Sequence, residues 1–162
     1  MEMNALRVLV ADDSPIITRK ICMMMDLIGY QVVKTVATGR EAIIAYKECR
    51  PDVVTMDIAM PDMDGIEATR IIKKAFPEAN IVMVTSYGQE KMVLEALKAG
   101  AKGYVLKPFQ QQKIFEVIEK ACNRVVLHDK LNAAYAQHNG TQSATTAEVN
   151  SPPSNTPGNV TS

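Results

Sequence analysis

The chain has 162 residues, 47% of them apolar, enough for one buried core with an appendage rather than for two full domains. Its 18 lysines and arginines balance its 18 aspartates and glutamates, so no net field draws it to nucleic acid or an anionic membrane surface. The opening MEMNALRVLVADD lacks a basic leader and a long apolar run, and Cys22, Cys49 and Cys122 form no CxxC pair. The expectation is a cytoplasmic chain with free thiols, without a secretory signal, membrane insertion, structural disulfides or a zinc knuckle.

Short β-branched runs then alternate with helical periodicity. Residues 6–11 predict a first strand, and residues 15–28 a helix with Ile17, Ile21, Met24, Met25 and Ile28 on one face. Ser14 fits its N-cap, Pro15 its first position and Gly29 its stop. A second strand at 31–37 precedes a helix at 40–49, and a third at 52–57 precedes a helix from about 66 to 76, ended by Pro77. A fourth strand at 80–85 leads to a helix at 90–99 closed by Gly100. A short fifth strand at 103–107 leads to a last helix from 111 to about 127, with Ile114, Ile118, Ala121 and Val125 on one stripe.

Five such units predict an α/β domain over residues 1–130, with a parallel sheet covered on both faces and strands buried on both sides. From Asn139 the sequence turns polar and rich in proline and glycine, with Glu148 its one charged side chain. Residues 131–162 are read as a disordered tail that leaves no room for a second folded module.

In sheets of this kind, chemistry gathers at the carboxyl ends of the strands, where strand order reverses. The first strand is followed by Asp12 and Asp13, and the third ends on Asp57. The fourth ends on Thr85 and the fifth on Lys107, whereas the second leads only to Thr38 and Gly39. If the first and third strands are neighbours, their ends lie about 5 Å apart. Carboxylates that close repel unless a cation lies between them. Hard oxygen donors with open water positions suit Mg²⁺. A metal on Asp13 and Asp57, supported by Asp12, would neutralise an incoming phosphoryl group and let Asp57 attack phosphorus. Lys107 would supply a second cation and Thr85 a hydroxyl hydrogen bond.

The run TMDIAMPDMDG at 55–65 invites a calcium-loop reading as well. With Gly65 at loop position six, Met60 and Ile71 fall where the first and last ligands belong, so that reading fails. Asp62 and Asp64 are expected to shape a turn and a helix start.

Together, ADDS at 11–14, MDIAMPDMDG at 56–65, VTS at 84–86 and KPF at 107–109 resemble the signature set of bacterial two-component receiver domains, over roughly residues 5–125. VVTMDIAMPDMDG and LKAGAKGYVLKPFQ are most similar to stand-alone chemotaxis receivers of the CheY type. The resemblance implies a flavodoxin-like (βα)5 fold with strand order 2-1-3-4-5, an order for which CheY is a standard example. It implies that a sensor histidine kinase donates a phosphoryl group to Asp57, with Mg²⁺ on Asp13, Asp57 and the Ala59 backbone carbonyl, and with Asp12 in the acid pair. It makes Thr85 the switch hydroxyl and matches Tyr104 to an aromatic switch, although a half-buried packing role accounts for Tyr104 equally well.

The output implied is altered binding of a protein partner through the helix 4–strand 5–helix 5 face, in a chain acting as a monomer. A flagellar motor component suits the chemotaxis likeness; a phosphorelay intermediate passing phosphate to a histidine phosphotransfer protein is the alternative. Such a chain is no enzyme beyond its own phosphorylation and dephosphorylation. A Mg²⁺-dependent phosphohydrolase would want a DxDx[TV] motif on the first strand, which DDSP does not provide. A constitutive scaffold would have no reason to crowd like charges. Ala59 and Tyr87 offer no carboxylate or amide to orient an attacking water, so a slow loss of phosphoryl is expected.

Overall fold

The structure, a computed structural model, describes residues 5–124. Strand and helix alternate through β1 (Arg7–Ala11), α1 (Pro15–Leu27), β2 (Gln31–Val36), α2 (Gly39–Cys49), β3 (Val53–Met56), α3 (Gly65–Ala75), β4 (Ile81–Thr85), α4 (Glu90–Ala99), β5 (Gly103–Leu106) and α5 (Gln111–Ala121). The strands form one parallel sheet in the order β2-β1-β3-β4-β5, the flavodoxin-like topology expected.

Side-chain alternation along the central strands builds two cores. Leu9, Val54, Met56, Ile81 and Met83 point to one face and pack with Ala42 and Tyr46 of α2, Ile66 and Ile72 of α3 and Ala96 of α4. Val8, Val10, Val53, Val82 and Val84 point to the other, against Ile21 and Met25 of α1 and Ile114, Phe115 and Ile118 of α5. The apolar stripe read on α1 therefore faces the sheet, with Ile21 and Met25 buried and Ile17, Met24 and Ile28 partly so.

Ser14 caps α1 by accepting the Ile17 N–H at 3.4 Å, and Pro15 opens the helix. Asp64 caps α3 by accepting the Glu67 N–H at 2.9 Å, as its helix-start reading requires. Gly100 ends α4 in the left-handed region, at φ 110°.

Two expectations need correction. Burial on both sides holds for β1, β3 and β4, but β2 is an edge strand with Gln31, Lys34 and Thr35 exposed, and on edge strand β5 Leu106 is exposed. A lysine on an edge strand discourages pairing with another chain. The last helix ends at Ala121, not near residue 127. Asn123 is left-handed at φ 53°, its N–H donates to the Lys120 carbonyl and the Arg124 N–H donates to the Glu119 carbonyl. That hydrogen-bond pair is a Schellman stop. Val125 and the tail read at 131–162 lie outside the described residues.

Candidate functional site

Between β1 and β3 the order of the sheet reverses: the chain leaves β1 towards β2 on one side and later fills β3 on the other. The crevice at the carboxyl ends of these two strands is where the acids collect. Asp57 directly follows β3 and its N–H donates to the Ala11 carbonyl at 2.9 Å, while the Asp12 N–H donates to the Val36 carbonyl at 3.0 Å. The sheet ladder thus carries on just far enough to fix both acids by their backbones.

Asp12, Asp13 and Asp57 each offer a carboxylate oxygen, and these oxygens lie within 4.8 Å of one another. Asp12 and Asp57 are buried, Asp13 exposed. Asp12 is already engaged: Oδ1 accepts the Ser14 N–H at 2.8 Å and Oδ2 accepts Lys107 Nζ at 2.7 Å. Lys107 Nζ also lies 3.3 Å from Asp57 Oδ2. The lysine is held by its own N–H, which donates to the Thr85 carbonyl at 2.8 Å, just before a cis Lys107–Pro108 peptide.

Burial pushes the Asp57 carboxyl above the ordinary aspartate range; Lys107 pulls it back down, and Asp12 raises it further. One ammonium does not neutralise three carboxylates. Hard oxygen donors, an open side at exposed Asp13 and a residual negative charge fit a Mg²⁺ ion that keeps several waters. The Ala59 side chain is exposed on the loop that follows Asp57.

Thr85 is fully buried at the end of β4, and its Oγ1 accepts the Tyr87 N–H at 3.3 Å. Tyr104 is half-buried on β5 and its hydroxyl donates to the Tyr87 carbonyl. Burial, then the Asp57 charge, pushes the Tyr104 hydroxyl above its ordinary range. One residue, Tyr87, therefore touches both the hydroxyl and the aromatic singled out in the sequence. Its backbone supplies both contacts, so nothing in its side-chain identity foreshadows them. A hollow of about 270 Å³ opens beside the acids, lined by Asp12, Asp13, Thr18, Thr35 and Glu41 among others. A larger groove of about 460 Å³ lies at the amino ends of the strands and touches none of the site residues.

Residues 8–119 match the response regulator receiver domain family model, and the chain belongs to that family. Chemotaxis protein CheY of Thermotoga maritima is 44% identical over 114 residues, spanning 70% of this chain and 95% of the relative. Chemotaxis protein CheY of Bacillus subtilis is 42% identical over 117 residues, spanning 72% and 98%. Among solved structures, a CheX-CheY-BeF3-Mg+2 complex from Borrelia burgdorferi superposes with a TM-score of 0.69 at 32% identity, covering 71% of this chain and 87% of that one. The chain is a CheY-type receiver, in keeping with chemotaxis signalling.

Proposed function

We propose that this receiver accepts a phosphoryl group on Asp57 from a histidine kinase and thereby changes its affinity for a protein partner in motility signalling, in the cytoplasm. One observation carries the reading: three carboxylates share 4.8 Å of space with a single lysine, at the sheet's switch point. A Mg²⁺ ion held by Asp13, Asp57 and the Ala59 carbonyl would supply the positive charge that lets phosphate approach.

An Asp57 carboxylate oxygen attacks phosphorus; the phosphorus–nitrogen bond to the donor imidazole breaks, and its electron pair leaves with the nitrogen. Lys107, 3.3 Å from Asp57, stabilises the added charge. Thr85 Oγ1 then turns to donate to a phosphoryl oxygen. That turn removes the acceptor of the Tyr87 N–H, and the Tyr87 carbonyl is what holds the Tyr104 hydroxyl. Tyr104 is released, and a face bearing exposed Leu94, Leu97 and Leu106 is reshaped. Apolar side chains exposed on α4 and β5 suit a protein partner.

Acetyl phosphate with Mg²⁺ should modify the wild type and leave Asp57→Asn untouched, read by intact mass. Equal labelling of the two would remove Asp57 from the role.

A further inference from the structure

The loop from Asp57 to Asp64 starts with the phosphoacceptor and carries the Ala59 carbonyl two residues on. We propose that the first turn of α2 is a clamp that positions this loop, so that Gly39 sets the magnesium affinity of a site it does not touch. The inference rests on the magnesium reading above.

Gly39 meets the far end of the loop at very close range. Its N–H donates to the Met63 carbonyl at 2.9 Å. A Cβ at position 39 would lie 2.5 Å from the Met63 oxygen and 2.9 Å from the Asp64 oxygen. Both are backbone atoms, so they cannot swing aside as a side-chain tip would; the loop or the helix must move. Closeness, not backbone conformation, is what demands glycine here. Next to it, Arg40 Nε is 2.8 Å from Asp62 Oδ2, and Asp62 is held left-handed at φ 66°.

The displacement has a short path to the acids. Met63 and Asp64 run straight into Gly65, where a Cβ would lie 1.9 Å from the Asp57 carbonyl oxygen. The Gly65 N–H also donates to the Ile58 carbonyl at 2.9 Å. The start of α3 thus rests against the Asp57 peptide, and Asp57 is pinned on its other side to Ala11. A push at Met63 and Asp64 reaches the phosphoacceptor backbone through one residue. Gly39 and Arg40 are positioning residues: they act through the loop and contact no phosphate or metal.

Magnesium titration of the folded proteins, with folding verified by circular dichroism, tests the clamp. Gly39→Ala should weaken Mg²⁺ binding by at least about tenfold, in the range typical of residues that orient metal ligands. Its acetyl-phosphate labelling rate should recover towards wild type at saturating Mg²⁺, because affinity is what has been lost. A lower melting temperature with unchanged magnesium affinity would make Gly39 merely structural and overturn the proposal. Should Gly39→Ala fail to fold, Arg40→Ala and Asp62→Ala decide. Each is expected to weaken binding about two- to threefold, as befits an exposed pair, and the double variant no further; no change in any of them overturns the clamp. A wild type that takes up no magnesium would instead overturn the underlying reading.

Discussion

At the scale of single residues, Asp57 is the group whose chemistry and stability pull apart. Its carboxyl is raised mainly by burial, so the folded chain holds its proton more tightly than the unfolded chain does. Its contribution to stability is therefore complete below the unfolded carboxyl range and lost as pH rises through the folded value. At pH 7 without magnesium the ionised group is a liability. Asp57→Asn should stabilise the fold there by about 1 kcal/mol in denaturant melts, and the difference should vanish near about pH 3. Magnesium should narrow the gap by stabilising only the wild type. A destabilised Asp57→Asn at neutral pH would show instead that Lys107 more than offsets the burial cost of the Asp57 charge. Ala59 is expected to bear on a different quantity, the phosphoryl lifetime. With no amide or carboxylate there to orient water, the phosphoprotein should outlast seconds, and Ala59→Asn should shorten its lifetime by about tenfold. Decay of the isolated wild-type phosphoprotein within seconds would contradict this. Cys122, by contrast, is chemically quiet: burial, then the charge of Glu119, pushes its thiol up to about 11, so it stays protonated at neutral pH.

At the scale of elements, periodicity and punctuation carried most of the information. Helix starts were legible because Ser14 and Asp64 are capping residues standing just before apolar stripes, and Gly100 marked the end of α4. The acids, Thr85 and Lys107 were legible because each ends or follows a strand, and parallel strands bring all their carboxyl ends to one rim. What stayed hidden depends on partners distant in sequence or on backbone atoms. The exposure of β2 follows from its place at the sheet edge, which no local pattern encodes. The early end of α5 comes from Asn123, whose left-handed turn interrupts a stripe that reads on towards Val125. Asn123→Gly should stabilise that stop by about 0.5 kcal/mol, measured by thermal melting. A loss would mean that the asparagine side chain matters more than its conformation. Thr38 and Gly39 looked empty of chemistry, yet Thr38 caps α2 and Gly39 touches the β3–α3 loop.

For the whole molecule, the division of the sheet into two cores determines how a change at one rim spreads. Lys107 and Thr85 are joined backbone to backbone across the ends of β4 and β5, and Tyr87 joins Thr85 to Tyr104. The route proposed from the acids to the α4–β5 face would therefore run through hydrogen bonds at the ends of strands, without rearrangement of the packed interior. All of it presupposes that the acid cluster takes a cation and then an anion. The decisive measurement is a calorimetric titration of Mg²⁺ into wild type and Asp57→Asn, each with and without beryllofluoride as a phosphoryl mimic. The wild type should bind one ion and bind it more tightly when the mimic is present, while Asp57→Asn should show no such coupling. No magnesium uptake by the wild type at roughly 10 mM, or equal coupling in both proteins, would contradict the account.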